Sequence, residues 1–194
     1  LVPFGATHLA ALPAMILILV ESPNKARAVA QYAREIFPGK KVLVRSTLGH
    51  LRDLPAGKLG VNIPQGFRPE YAIRNQKAVS YLRPFLRGAS QVFLAMDPDR
   101  EGEAIAWHVT KVFEAELHRK SVLRVSFNAI TRKAVQAGLR HGREIDKALM
   151  KAAVARRVID RLIGYKISPR LWAHVDGKDL SAGRVQTAAL RILA

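Results

Sequence analysis

Residues 15–20, Met-Ile-Leu-Ile-Leu-Val, form an unbroken run of apolar and mostly branched side chains. A strand with one wet face alternates apolar with polar residues. A run without alternation predicts a strand covered on both sides, as in a parallel sheet sandwiched between helices. Comparable runs recur at 41–46, 91–96 and 122–127. Helical patterns lie between them, near 25–36, at 75–87 (where Pro84 weakens the pattern) and at 102–118, and Thr131 starts another. Strands alternating with helices predict an α/β fold with a doubly wound parallel sheet, whose working residues stand at the carboxyl ends of the strands. Gly and Pro punctuate 49–69 too densely for regular structure. From about Asp146 the pattern is helical only, which places a domain change there. The expected organisation is an extension outside the fold at 1–14, a sheet domain at 15–144, and the start of an all-helical domain at 145–194. The last segment, 185–194, is amphipathic and reaches the end without a stop signal, as expected of a helical domain cut short.

Charge narrows the partner. The 194 residues carry 32 Lys and Arg against 15 Asp and Glu, a net charge of +17. Such an excess points to a polyanion, nucleic acid first. The chain has no Cys, which excludes a disulfide scaffold, a thiolate zinc site and a cysteine nucleophile. The apolar stretch 9–20 is broken by Pro13 and is far shorter than the ~20 residues that cross a bilayer, so neither membrane span nor signal peptide is expected.

The sharpest local feature is Asp97-Pro98-Asp99-Arg100-Glu101, just past the third strand. Residues two apart in extended backbone point the same way, which pairs Asp97 with Asp99, and Glu101 at the next helix can turn toward them. Three carboxylates so close repel unless a cation neutralises them, and oxygen-only ligands on a short loop suit Mg²⁺. An acidic loop that merely caps a helix amino terminus accounts for the same residues. Glu21-Ser22-Pro23-Asn24-Lys25 follows the first strand. Glu21 and Lys25, four apart, fit a surface ion pair. At the same sheet edge as the acidic loop they also fit proton exchange or metal binding by Glu21 and phosphate binding by Lys25. In Gly49-His50-Leu51-Arg52-Asp53, His50 and Arg52 are candidate phosphate contacts and Asp53 a residue to orient them, although a lone His in a turn is commonly structural.

Together these residues resemble a family. A Glu after the first strand and an Asp-x-Asp-x-Glu after a later one are similar to the Toprim domain shared by topoisomerases, bacterial primases and some nucleases. The longer motifs ESPNKA (21–26), GHLRDLP (49–55), KLGV (58–61) and DPDREGEAIAWH (97–108) resemble the type IA DNA topoisomerases, on the bacterial topoisomerase I side. ARRVIDRLIGYKISPRLW (155–172) and LSAGRVQ (180–186) resemble that family's helical DNA-gripping domain. The resemblance implies that Asp97, Asp99 and Glu101, with Glu21, hold Mg²⁺. It implies that Glu21 is the general acid beside the scissile phosphate and that Lys25 stabilises charge in the transition state. It places Arg156, Arg157, Arg161, Arg184 and Gln186 on the DNA, with Asp160 orienting one of the basic or histidine groups; His50, Arg52 and Ser181 complete the expected DNA-binding set. The implied partners are single-stranded and negatively supercoiled DNA and the remaining topoisomerase domains, in cis or on a separate chain, in the nucleoid-associated cytoplasm.

Spacing adds support, because Arg157 and Arg161 share a helix face with Arg156 and Asp160 on the neighbouring stripe. Trp107, Trp172 and Tyr165 read as packing residues. The family's Glu and Gln positions are here Ala129 and Val154, which weakens local hydrogen bonding without touching the carboxylates. None of the four tyrosines, Tyr32, Tyr71, Tyr81 and Tyr165, stands in the context of the family's DNA-cutting tyrosine. The expectation is half of an active site, with no relaxation of DNA by this chain alone. A DNA-binding remnant and a Toprim nuclease or primase remain the rival readings.

Overall fold

A computed structural model describes residues 15–177 and 180–194. The expected extension at 1–14 lies outside the described residues. The order is β1 (Met15–Val20), α1 (Pro23–Ile36), β2 (Lys41–Ser46), β3 (Arg52–Asp53), β4 (Val61–Asn62), β5 (Arg68–Pro69), β6 (Ala72–Ile73), α2 (Gln76–Gly88), β7 (Gln91–Leu94), α3 (Arg100–Val112), α4 (Glu114–Leu117), β8 (Ser121–Arg124), α5 (Arg132–Arg140), α6 (Lys147–Lys166), α7 (Ser168–His174) and α8 (Arg184–Leu193).

The four long strands form one sheet in the order β2-β1-β7-β8, every pair parallel. β1 explains why its run is apolar throughout. Leu17 and Leu19 pack with Val79, Leu82 and Leu86 of α2 and Ile105 and Val109 of α3. Ile16, Ile18 and Val20 pack on the other face with Val29 and Ala33 of α1 and Val135 and Leu139 of α5. Both faces are dry, so no polar alternation survives. The chain leaves β1 toward β2 on one side and returns to β7 on the other. That reversal opens a crevice at the carboxyl ends of β1 and β7, where ligands bind in open α/β sheets.

Caps set the helix starts. Ser22, Asn75, Asp99, Thr131 and Asp146 each accept a backbone N–H of the turn they open. Pro84 sits inside α2 without ending it. Three expectations are corrected. The predicted 102–118 helix breaks at Phe113, which is fully buried at φ −113°, ψ 30° and divides α3 from α4. The punctuated stretch after β2 holds two short antiparallel ladders, β3 with β6 and β4 with β5. Two-residue strands carry no period of their own, so no local pattern betrays them. Finally, Trp172 is 62% exposed, donating to the Leu180 carbonyl at 2.5 Å, and Tyr165 is 37% exposed, so neither is a core anchor. α6 packs along α3 and closes a third apolar cluster, in which Val158 meets Leu54 and Val61. Among the described residues no helix is long and apolar enough to cross a membrane.

Candidate active site and nucleic-acid interface

The turn after β1 and the loop after β7 meet at the crevice. Glu21 Oε1 accepts the Asp97 backbone N–H at 2.9 Å. Lys25, on the first turn of α1, donates to the Asp97 carboxylate and lies 3.9 Å from Glu21 Oε2. The elements themselves supply this: Ser22 caps α1 through the Lys25 N–H, which aims Lys25 back across the strand ends. Asp99 caps α3, its Oδ1 accepting the Gly102 N–H at 2.7 Å. The turn is tight enough that a Cβ at residue 102 would stand 2.2 Å from the Asp97 carbonyl oxygen, so glycine is required there. Glu101 turns toward the loop after β2, where His50 Nε2 donates to its carboxylate at 2.6 Å.

Whether this edge suits a cation follows from its donors. Asp97, Asp99 and Glu101 each use one carboxylate oxygen in these bonds. The second oxygen of each remains, and Asp97 and Glu101 are 44% and 56% exposed. Among the described residues, no three His, Asp or Glu side chains converge into a ready-made cage. An oxygen-only, solvent-open set of this kind fits Mg²⁺, which keeps several waters and takes few protein ligands. Lys25 stands in as the neutralising charge at Asp97.

The loop after β2 departs from its sequence reading. Arg52 faces inward, its guanidinium 4.7 Å from the Tyr71 ring centre and 4.8 Å from that of Trp107, while Nε donates to His108 Nδ1 at 2.7 Å. It is committed to the protein rather than to a phosphate. Burial, with the charges of Arg52 and His50 behind it, pushes His108 down to about 3, so the ring is neutral and accepts through Nδ1. Burial likewise raises Tyr71. Asp53 orients neither His50 nor Arg52. It takes a bidentate pair from Arg157 at 2.9 and 2.6 Å and a third bond from Arg74 at 3.3 Å. Burial alone would raise the Asp53 carboxyl, but the bonds from Arg157 and the Leu54 amide outweigh it and hold it below its ordinary value.

Arg157 and Arg161 share a face, and both reach the 53–58 segment. Arg161 donates to the carbonyls of Lys58 at 3.3 Å and Leu54 at 3.4 Å, and stacks 5.1 Å from the Tyr165 ring. On the neighbouring stripe, Asp160 accepts from Arg184 at 3.0 Å and faces Arg156 at 3.8 Å. Ser181 donates to Gln186 at 3.4 Å just before and within the first turn of α8. Arg156, Arg157 and Asp160 share a cleft of about 470 Å³ with His50, Glu101 and His108. Glu101, at the end of the acidic edge, and the basic helix therefore face one space. Val154 lines the same cleft and packs with the Val158 cluster, and Ala129 is exposed.

Residue-by-residue reading missed the groups beneath this surface. Glu103 is fully buried and accepts from Arg124 Nε at 3.0 Å, from Arg143 at 2.5 and 3.3 Å, and from the Asp146 backbone N–H at 2.9 Å. Burial pulls the Arg124 guanidinium below its usual range and Glu103 opposes that. One signal existed: Arg124 is a cation inside an apolar strand run, and a buried cation demands a partner.

A parallel sheet carrying a Glu past one central strand and an Asp-x-Asp-x-Glu past its neighbour defines a Toprim domain, and the Toprim domain family model matches residues 16–130. A second family model, DNA topoisomerase, matches residues 144–194. Full-length topoisomerase I from Thermotoga maritima is similar at 39% sequence identity, with a TM-score of 0.76 over 91% of this chain, which spans 29% of that protein. The chain belongs to the type IA topoisomerases and corresponds to their amino-terminal region.

Proposed function

We propose that this chain supplies the acidic half of a strand-cutting site, and part of a groove for single-stranded DNA, to an enzyme that transiently opens and reseals one DNA strand. The observation that carries this is the shared cleft: Glu101 and His50 line one wall, Arg156, Arg157 and Asp160 the other. On this reading residues 15–144 form the Toprim domain and 145–194 begin the helical domain.

Asp97, Asp99 and Glu101 would hold Mg²⁺, with Glu21 as a further ligand in its ionised form. Bound there, the ion supplies positive charge that positions the phosphodiester and offsets charge in the transition state. Glu21, held over the loop by its bond to the Asp97 N–H, would in its protonated form hand that proton to the leaving sugar oxygen. Lys25, between Glu21 and Asp97, keeps Glu21 beside a cation and offers one to a phosphate oxygen. Arg156, Arg157, Arg161 and Arg184 would track the DNA backbone, with Asp160 orienting Arg184 and phosphate displacing Asp53 from Arg157. Ser181 and Gln186, at the start of α8, would add hydrogen bonds, and His50 would reach the strand at the site. The nucleophile would be a tyrosine from outside these residues. Tyr32, on α1, is half-buried against the sheet cluster, Tyr71 is stacked on Trp107 and His108, Tyr81 lies on α2 beside Phe85, and Tyr165 lies under Arg161. Covalent storage of the broken bond makes resealing possible without ATP. The natural substrate is then negatively supercoiled DNA, in a nucleoid-associated cytoplasmic setting.

The test pairs oligonucleotide binding with plasmid relaxation. The 194-residue chain should bind single-stranded DNA with steep salt dependence and leave negatively supercoiled plasmid unrelaxed. Relaxation by this chain alone would contradict the proposal. Mg²⁺-dependent cutting without a covalent protein–DNA adduct would favour a nuclease instead.

A further inference from the structure

Arg124 ends β8, the strand next to β7, and its side chain is enclosed. Its guanidinium gathers main-chain oxygens. Nη1 donates to the carbonyls of Leu94 at 3.2 Å, Met96 at 2.8 Å and Val125, and Nη2 donates to the carbonyl of Asp97 at 2.5 Å. Those of Leu94, Met96 and Asp97 cover the segment in which β7 stops pairing as a strand and becomes the acidic loop. The Leu94 carbonyl also takes the Val125 N–H at 3.0 Å; beyond it, among the described residues, the Met96 and Asp97 carbonyls have no backbone partner, and buried carbonyls without one are costly. The guanidinium is the partner. Its planar fork fixes their relative directions as a point charge could not.

Glu103 completes the arrangement. It sits one helical turn beyond Asp99 on α3, so its grip on Arg124 Nε ties the guanidinium to the helix that Asp99 caps. The same carboxylate takes Arg143 and the N–H of Asp146, the residue that caps α6. One buried ion cluster thus joins the strand end, the acidic loop and the start of the basic helix.

We propose that Arg124 is a positioning residue for the acidic loop. Held by Glu103, it clamps the Met96 and Asp97 carbonyls and so fixes the direction in which Asp97 and Asp99 present their carboxylates. Its value to metal binding rests on the Mg²⁺ reading above; the clamping of the loop does not.

The experiment is hydrogen exchange, read amide by amide on the full 194-residue chain, with Mg²⁺ calorimetry in parallel. Arg124→Lys keeps the charge but has a single nitrogen in place of the fork that reaches Met96, Asp97 and Glu103 together, and Glu103→Gln keeps the volume but removes the charge that grips the guanidinium. Both variants should exchange the Asp97 and Gly102 amides about tenfold faster or more, from the loss of charge-assisted bonds, while Leu17 and Leu19 of β1 stay at the unmodified rate. Mg²⁺ binding should weaken in step. Loop amides that exchange at the unmodified rate in either folded variant would overturn the proposal. So would a rise shared equally by the loop and β1 in both, since Arg124 would then serve the core alone. Faster loop exchange in a chain that shows no Mg²⁺ binding sensitive to Asp97→Asn would sustain the clamp and sink the Mg²⁺ reading instead.

Discussion

Glu101 and Glu103 stand two residues apart on one helix and belong to different worlds. Glu101 is 56% exposed, held by a single histidine and open to the cleft. Glu103 is fully buried and serves two arginines and a backbone amide. The acidic edge around Glu101 is built to exchange partners, because water can replace any of them at little cost. The cluster around Glu103 is built to keep its partners, because a buried charge that loses its counter-ion has nothing to replace it. An open acidic rim thus rests on an ionic foundation. The loop between them, Asp97–Glu101, takes its shape from below and its chemistry from above.

The sharpest way to break this contrast is Glu103→Ala. It strands Arg124 and Arg143 against a dry interior and should cost about 3–5 kcal/mol of unfolding free energy by chemical denaturation. Glu101→Ala should cost far less in the same measurement. Equal losses would dissolve the distinction. Next in size is the effect of acid. His108 titrates near 6.5 unfolded but about 3 when buried beside Arg52. The fold therefore favours the neutral ring. Its contribution is complete above pH 6.5 and is lost as pH falls toward 3, on the order of a few kcal/mol. His108→Gln should flatten that part of the stability–pH curve; an unchanged slope would mean the ring charges freely in the folded chain.

Asp53→Asn tests the middle ground, since Asp53 is partly buried and joins α6 to the loop after β2. Loss of the bidentate Arg157 pair should cost about 1–2 kcal/mol. It should also free Arg157, so single-stranded DNA should bind no more weakly and with a slightly steeper salt dependence. Weaker DNA binding would show that the pair aims Arg157. The smallest stability change belongs to the rim. Asp97→Asn with Asp99→Asn should leave stability within about 1 kcal/mol, as for surface substitutions near a helix cap, while abolishing calorimetric Mg²⁺ binding. A large loss of stability would place those carboxylates in the foundation after all.

Much of the fold was legible along the chain. The apolar run of β1 marks a strand covered on both faces, and the alternation of strand and helix runs marks a parallel sheet. Both signals are periodic and local, set by which side chains must leave water. Thr131 marked one helix start for the same reason, whereas the starts at Pro23 and Arg100, capped by Ser22 and Asp99, lie two residues ahead of the expected 25 and 102. The acidic motif and Glu21 could be assigned to one sheet edge because a parallel sheet gathers its carboxyl ends together. The two-residue ladders, the break at Phe113 and the inward turn of Arg52 had no local mark, because each follows from a partner far along the chain.

The sequence by itself determined the class of fold, the edge at which the carboxylates gather and the basic face of α6, since pattern and charge are properties of neighbouring residues. Only the tertiary structure decided which charges face water and which face each other. It paired Asp53 with Arg157, 104 residues away, turned Arg52 into an aromatic stack, and buried Glu103 between Arg124 and Arg143 while leaving Glu101 at the rim. Solvent access separates those fates, and it exists only once the chain has folded.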